Sequence, residues 1–166
     1  MLYQVLRKLR QRVMERLTYW LYFPLLFSVY KPTHKPYSRE ALLKMPKNSL
    51  GYNVVKFLEK QGLKLIPSYE LHDAKHVLTG YGTAFEDEIM LQFFELGNGN
   101  NSLPVWVAIV IGTICAPDYL LQFLAAYRKG KACRPITPDF LIKNISTNLR
   151  QLQQQLYTPQ FKTQYN

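Results

Sequence analysis

The sequence has few cysteines and few acidic residues, and both shortages narrow the range of possible functions. Its only two cysteines, Cys115 and Cys133, form no C-x-x-C or C-x-x-H arrangement, which excludes a disulfide framework. There are 11 acidic residues against 21 lysines and arginines, so the formal net charge is +10. Such an excess is typical of proteins that bind an anionic membrane surface or nucleic acid. Because no helix-turn-helix, zinc-finger or RNA-recognition signature is present, nucleic acid is not expected as a partner.

The sequence also lacks a Gly-rich phosphate loop, an internal repeat and a secretory signal. It contains no two-residue hairpin signal and no alternation of strand and helix patterns, which argues against a sheet. A chain of 166 residues, 48% of them hydrophobic, suffices for one domain with its own core. We therefore predict an all-α single domain of about six or seven helices, with the helical core at residues 38–156 and a disordered tail at residues 157–166.

Residues 1–30 are predicted to form a basic amphipathic helix that continues into an aromatic segment and contacts a membrane. In its first half, one stripe is apolar and the basic residues gather on the other side. Its second half supplies three candidates for lipid contact, Trp20, Phe23 and Phe27. This segment is too short and too interrupted to span a bilayer. The alternative is a helix that covers the domain's own core and exposes its arginines to solvent.

The segment Val105 to Ile114 is apolar on every side, and it is predicted to begin a long helix that bends near Pro117. A helix of this kind is either central to a core or lines a cavity that accepts lipid. Trp106 and Val110 are therefore further candidates for lipid contact.

Histidines are scarce, yet two of the three, His72 and His76, lie four residues apart with Asp73 between them. Ser68 is predicted to cap a helix from Tyr69 to Leu78. On such a helix the two histidines are one turn apart, and Asp73 is rotated by roughly 100° from His72. All three side chains are then expected to lie within one angular sector of the helix.

Three acidic residues, Glu86, Asp87 and Glu88, follow after a short break. Thr83 is predicted to cap the next helix with Glu86 in the S/T-x-x-E arrangement, which leaves Glu88 free to point back at the histidines. Two imidazoles and one or two carboxylates, with open positions left over, suit zinc or another divalent metal. The alternative is a solvated helix face, with the acids placed at a helix N-terminus by the helix dipole.

Three stretches of the chain resemble the coenzyme Q (ubiquinone) biosynthesis protein 4 family. They are the motif His72-Asp73-x-x-His76 with Glu88 after eleven further residues, the helix Gly51 to Glu59 before it, and the basic segment Ala126 to Ala132 after it. The resemblance spans Ser49 to Pro135, about half of the chain. Residues 136–148 lack the aromatic and acidic segment that family members usually carry there.

The resemblance implies a peripheral membrane protein that acts on or holds a polyprenylated aromatic intermediate of ubiquinone synthesis, alongside other quinone-biosynthesis proteins. It implies that His72, Asp73, His76 and Glu88 bind the metal, with zinc expected. Any activity would be metal-dependent oxidative decarboxylation and hydroxylation at the ring carbon bearing the carboxylate. The expected location is the cytoplasmic face of a bacterial inner membrane, or the matrix side of the mitochondrial inner membrane in a eukaryote.

Three basic residues near the end of the later helix, Arg128, Lys131 and Arg134, have two interpretations. They are either the cations that a helix C-terminus favours or the residues that bind the anionic head group of a substrate.

Two further functional classes remain open. One is a non-catalytic prenyl-lipid scaffold in which the metal only joins two helices; a homo-oligomer is compatible with either class. The other is a metal-dependent hydrolase, which needs more histidine and aspartate ligands than the remaining His34 supplies.

Overall fold

The computed structural model describes residues 35–157, and this part of the chain forms a single all-α domain without strands. The expectations for residues 1–34, including Trp20, Phe23 and Phe27, lie outside the described residues, as do those for residues 158–166. The described helices are α1 (Arg39–Leu43), α2 (Leu50–Gln61), α3 (Glu70–Thr79), α4 (Phe85–Gly97), α5 (Leu103–Cys115), a 3-10 turn (Pro117–Tyr119), α6 (Leu120–Ala132), α7 (Pro138–Asn144) and α8 (Leu149–Leu156).

Local capping signals explain where α2 begins and ends. The hydroxyl of Ser49 accepts a hydrogen bond from the Tyr52 amide at 3.2 Å, which satisfies a free N–H of the first turn. Gly62 follows the last turn in the left-handed conformation, with φ 69°, which a side chain would disfavour. The bounds of α2 are thus set by residues at its own two ends.

The starts of α3 and α4 differ from the prediction. Ser68 does not cap α3, because it has a φ of 69° in a turn closed by the Tyr69 amide and the Ile66 carbonyl at 3.0 Å. A Pro67-Ser68 pair at the centre of such a turn, with positive φ at the second residue, is the type II arrangement. Thr83 does not cap α4 either, since its hydroxyl points to the Gln61 side chain at 3.4 Å.

Two breaks bring the number of helices within residues 35–157 to eight, where about six or seven were predicted for the chain. The first break is at Ala116, where Pro117 cannot extend the hydrogen-bond ladder of α5, and the chain turns by 105°. The second break is the connection Ile145–Asn148, whose backbone pairs with the start of α2 through Leu50 N to Thr147 O at 2.9 Å. Within the described residues no single helix is long and apolar enough to cross a membrane, while α5 and the bent segment after it pass that criterion only together.

The core is built around α4, which packs against α5 and α6. Phe94 on α4 and Phe123 on α6 are almost fully buried, and Phe93 stacks on Phe123 with ring centroids 5.1 Å apart. On the other side α3 packs against α2 and touches α7 and α8. The junction of α3 and α4 therefore joins two groups of helices, and the candidate site lies at this junction.

Candidate metal centre

The structure brings three predicted ligands together where α3 meets α4. One ligand atom from each of His72, His76 and Glu88 lies within 4.8 Å of the other two. The two imidazole Nε2 atoms are 3.0 Å apart. The carboxylate oxygens of Glu88 lie 3.5 Å from His72 Nε2 and 3.4 Å from His76 Nε2. The Glu88 side chain therefore points from α4 toward the two histidines of α3.

Aromatic neighbours fix the orientation of the two histidines. The ring of His76 lies 5.8 Å from that of Phe57 with an interplanar angle of 18°, and the side chain of His76 is only 1% exposed. The ring of His72 lies 4.5 Å from that of Tyr69. The Glu88 side chain is 30% exposed, so the cluster is closed at His76 and open at Glu88.

A backbone carbonyl selects the tautomer of His76. Its Nδ1 atom lies 3.3 Å from the carbonyl oxygen of Tyr81, which can only accept a hydrogen bond. The proton on Nδ1 therefore leaves the Nε2 lone pair directed at Glu88 and His72. A ligand histidine whose second nitrogen donates to a backbone carbonyl is the usual arrangement in metal sites.

The electrostatics of the cluster favour a shared positive charge. Burial alone lowers the pKa of His76, but the Glu88 carboxylate outweighs it and raises the pKa above the usual value. Burial also opposes ionisation of Glu88, yet the two imidazoles hold its pKa well below the usual range. The Nε2 lone pair of His76 and the Glu88 carboxylate are both acceptors and lie 3.4 Å apart, so a proton or a metal ion between them would stabilise the cluster. The donor set of two imidazoles and a carboxylate fits zinc and similar divalent ions.

Asp73, the fourth predicted ligand, is outside the group of converging atoms. It lies on α3 beside the histidines and is 8% exposed. Burial raises the pKa of Asp73 to about 6, against a usual value of 3.8. Its role as a ligand stays a prediction.

A buried ion pair lies beside the cluster and was not anticipated from the sequence. Lys75 Nζ on α3 is 2.6 Å from Glu95 Oε2 on α4, and the Asn100 amide donates to the same carboxylate. The Glu95 side chain is 7% exposed. Burial raises the pKa of Glu95, but the positive charge of Lys75 and the smaller effect of His72 together outweigh burial. The pKa of Glu95 is therefore below the usual value. The only signal of this pair in the sequence is the position of Glu95, two helical turns after Glu88 and on the same face of α4.

A cavity of about 430 Å³ opens beside His76. The residues that line it come from α2, α3 and the loop after α3: Asn53, Lys56, Phe57, Lys60, Gln61, His76, Val77, Gly80, Tyr81 and Gly82. The predicted head-group residues Arg128, Lys131 and Arg134 are not among them. Arg134 instead lines a second cavity of about 410 Å³ and lies over the Phe140 ring, while Arg128 and Lys131 are exposed. Contact of these three residues with a substrate stays a prediction.

The two lipid-contact candidates on α5 lie on its outer face. Trp106 is 45% exposed and Val110 is 53% exposed, and Leu103 and Ile114 extend the same exposed stripe. The opposite face of α5, with Val105 and other apolar residues, is buried against the core. The helix is therefore half-buried rather than central to the core.

Comparison with known proteins gives a likeness of fold. No family model matches the chain, and no curated protein matches it. The crystal structure of a "Putative ubiquinone biosynthesis protein" from Nostoc punctiforme PCC 73102 superposes with a TM-score of 0.57 and 22% sequence identity. The match covers 89% of this chain and 80% of that chain. The chain therefore shares its all-α fold with that protein.

Proposed function

We propose that this protein binds a divalent metal ion, expected to be zinc, and works in ubiquinone biosynthesis. Its ligands would be His72, His76 and Glu88, with Asp73 as the fourth. The substrate or cargo would be a polyprenylated hydroxybenzoate-type intermediate. Support comes from the family motif around the histidines and from the shared fold with a protein described as belonging to ubiquinone biosynthesis.

The observation that carries the proposal is the convergence of three lone-pair donors from two helices. His76 Nε2 has a lone pair because its Nδ1 proton is held by the Tyr81 carbonyl. His72 Nε2 lies 3.0 Å from this nitrogen, and a Glu88 oxygen lies 3.4 Å from it. Two imidazoles and a carboxylate are a ligand set that binds zinc and similar divalent ions in other proteins.

The surroundings favour a catalytic site over a purely structural one. A structural zinc site has all positions filled by protein, whereas a catalytic site keeps one open. Glu88 is 30% exposed, so a substrate has access to the cluster from the Glu88 side. A bound metal ion would supply Lewis-acid polarisation of the ring carboxylate. Replacing the ring carboxylate by a hydroxyl group would release carbon dioxide and remove two electrons, which zinc cannot accept. Dioxygen from solution would take them and leave as hydrogen peroxide, and water would supply the hydroxyl oxygen.

A peripheral place on the membrane is part of the proposal. The stripe of Leu103, Trp106, Val110 and Ile114 is exposed, and the chain carries a net charge of +10. Apolar side chains in the interface and basic residues against anionic lipid act together in such anchoring. The membrane would be the bacterial inner membrane on its cytoplasmic face, or the mitochondrial inner membrane on its matrix side. Other quinone-biosynthesis proteins would be the partners there.

The second candidate is a non-catalytic prenyl-lipid scaffold in which the metal joins α3 to α4. The observation in its favour is the small direct contact between these two helices, which a metal ion would reinforce. Turnover separates the candidates, because a scaffold binds the prenylated acid without consuming it.

Metal content tests the proposal first. The protein is purified in detergent without added metal, and bound metal is measured for wild type, His76→Ala and Glu88→Ala. Two controls are His34→Ala, which changes the remaining histidine, and Glu86→Ala, which changes an acid outside the cluster. We expect about one metal per chain in wild type and both controls, and loss in the two cluster variants. Wild-type protein that binds no zinc, manganese, iron or cobalt after reconstitution would contradict the proposal.

Membrane attachment is tested separately with vesicles containing anionic lipid. Replacing Trp106 and Val110 by serine is expected to weaken co-flotation and leave metal content unchanged. Unchanged flotation would remove α5 from the proposed membrane contact.

A further inference from the structure

The cavity beside His76 has one polar, basic wall and one apolar wall. The C-terminal half of α2 supplies Lys56, Lys60 and Gln61, and no aspartate or glutamate lines the cavity. The apolar wall is formed by Phe57, Val77 and the ring of Tyr81. The cavity therefore has the surfaces that an aromatic anion needs.

The two lysines of the basic wall differ in how well they are neutralised. Lys56 Nζ lies 2.8 Å from a Glu59 oxygen, and Arg39 pairs with the same carboxylate. For Lys60, by contrast, no acidic group among residues 35–157 lies within ion-pair distance. Lys60 thus contributes the charge that is available to a ligand.

Gln61 adds a directed donor to this wall. Its side-chain oxygen accepts a hydrogen bond from the Thr83 hydroxyl at 3.4 Å. This assignment leaves the amide NH2 group of Gln61 to donate. The amide of Asn53 is different, because it already donates to the Ser49 carbonyl at 2.7 Å. Lys60 and Gln61 are therefore the pair best placed to hold an anion.

The helix ends around the cavity favour a monoanion over a phosphate. The last residues of α2 and α3, Gln61 and Thr79, lie at or next to this cavity, and both are helix C-termini. A helix C-terminus carries a partial negative charge, which disfavours a dianion. The cavity also lacks the arginine fork and the helix N-terminus that phosphate sites commonly use. A carboxylate on a flat ring fits these features better.

We propose that this cavity binds the aromatic carboxylate of the ligand, with the ring against Phe57 and Tyr81 and the carboxylate held by Lys60 and Gln61. This inference rests on the proposed function for the ligand's class, but its residues are separate from the metal ligands except for His76. About 430 Å³ is enough for one substituted ring, with the prenyl chain leading out of the open side. The His76 side chain then lies between the ring and the rest of the metal cluster.

The test is equilibrium binding of 3-geranyl-4-hydroxybenzoate in detergent to wild type, Lys60→Gln and Lys64→Gln. Lys64 is the matched control, since it is exposed and does not line the cavity. The same titrations use 2-geranylphenol, which lacks the carboxylate. They also use geranyl phosphate, in which a phosphate stands in place of the whole aromatic acid. We expect Lys60→Gln to weaken binding of the acid by about fivefold, as for a partly exposed ion pair, and to leave phenol binding unchanged. Lys64→Gln should behave as wild type.

Three outcomes would overturn the inference: equal binding of acid and phenol by wild type, equal effects of Lys60→Gln and Lys64→Gln, or a Lys60-dependent preference for geranyl phosphate. Metal content is measured on the same samples. If the protein binds no metal but binds the acid in a way that depends on Lys60, the inference about this cavity stands and the proposed metal site is wrong. Normal metal content with Lys60-independent acid binding would reject the cavity alone.

Discussion

The Nδ1 atom of His76 lies 3.3 Å from the carbonyl oxygen of Tyr81, so the loop after α3 determines which nitrogen of this imidazole carries the proton. The histidine is thereby prepared to accept, through Nε2, either a proton or a metal ion. Because Glu88 raises the pKa of His76, protons compete for this lone pair at a higher pH than they do for a free imidazole. Metal binding is therefore linked to proton release.

The first prediction concerns the pH dependence of metal affinity. His76 is more protonated at pH 6 than at pH 8, and a metal ion must displace that proton. We expect the affinity to rise by up to about tenfold per pH unit between pH 6 and pH 8, the slope for one displaced proton. Competition with a chromophoric chelator at several pH values measures this slope.

The stability of the metal-free protein should change with pH in the opposite direction. A histidine with a raised pKa stabilises the folded state below its unfolded pKa of about 6.5, and this contribution is lost as the pH rises through the folded pKa. Metal-free wild type is therefore less stable at pH 8 than at pH 6. A bound metal ion should restore the stability that is lost at pH 8. A metal affinity that does not vary with pH would show that His76 is unprotonated in the free protein.

The second prediction is that Asp73→Asn stabilises the metal-free protein. Burial raises the pKa of Asp73 from 3.8 to about 6, so its ionised form costs up to about 3 kcal/mol above pH 6. That cost disappears as the pH falls below 3.8, where the carboxyl is protonated in both states. Urea unfolding in the presence of a chelator should show a gain for the variant at pH 8 and a much smaller one at pH 4.5.

The same substitution should weaken metal binding if Asp73 is the fourth ligand, because an amide is a poorer donor than a carboxylate. A variant with wild-type metal affinity would leave Asp73 as a buried residue without a role at the metal. A variant that is less stable than wild type at pH 8 would mean that the carboxylate is satisfied in the folded protein.

Elements set by local signals could be predicted from the sequence. The bounds of α2 follow from Ser49 and Gly62, which lie at its ends and act through their own backbone neighbourhood. Ser68 carried the same kind of signal but failed. A turn begun by Pro67 placed it at positive φ, and a cap requires an extended backbone there. Short-range preferences compete at such positions, and the packing of the chain decides between them.

The meeting of His72 and His76 with Glu88 was also predictable, because helical geometry fixes the first pair and the chain soon turns back. The position of Asp73 could not be predicted in this way. A rotation of about 100° along the helix was expected to keep it within the cluster, but at this crossing of α3 and α4 it takes the side chain away from the converging atoms.

Interactions between distant helices could not be read from the sequence. Lys75 and Glu95 are 20 residues apart, and only the packing of α3 on α4 makes them a pair. Likewise Lys60 and His76 line one cavity whose walls come from separate helices. The cluster Arg128, Lys131 and Arg134 looked more suitable for an anion because its charges are adjacent in sequence, although none of them lines that cavity.

The third prediction concerns the buried pair of Lys75 and Glu95. Removing one partner leaves the other charge in a poorly solvated place. Lys75→Met leaves the Glu95 carboxylate, which is only 7% exposed, without its cation and should cost about 3 to 5 kcal/mol of unfolding free energy. Glu95→Gln should cost less, because the lysine that it leaves behind is 18% exposed and can reach water. The double variant Lys75→Met with Glu95→Gln should recover much of the loss, since no unpaired charge remains.

Thermal and urea unfolding of the single and double variants form a complete cycle. Glu59→Ala, which removes the carboxylate of the exposed Lys56 pair, is the control and should leave the midpoint nearly unchanged. Additive losses in the double variant would mean that the two side chains stabilise the fold independently.

The fourth prediction concerns the crossing of α4 and α6, where two glycines allow the backbones to touch. A Cβ atom on Gly97 would collide with the backbone of Tyr127, and one on Gly130 would collide with that of Phe94. Alanine is normally better than glycine in a helix by about 1 kcal/mol. Here the collisions involve backbone atoms that cannot rotate away, so each Gly→Ala change should destabilise the protein by about 3 kcal/mol.

Two comparison variants identify the cause of this loss. Ala125→Ser on the exposed face of α6 should change stability by less than about 0.5 kcal/mol. Gly112→Ala should be intermediate, because its Cβ would meet the side chain of Ile89, which can shift. If Gly97→Ala and Gly130→Ala instead raised the unfolding midpoint, helix propensity would outweigh contact at the crossing, and α4 and α6 would be free to separate. Since Glu88 and Glu95 are carried by α4, a separation large enough to relieve the collisions should also lower metal affinity in both glycine variants.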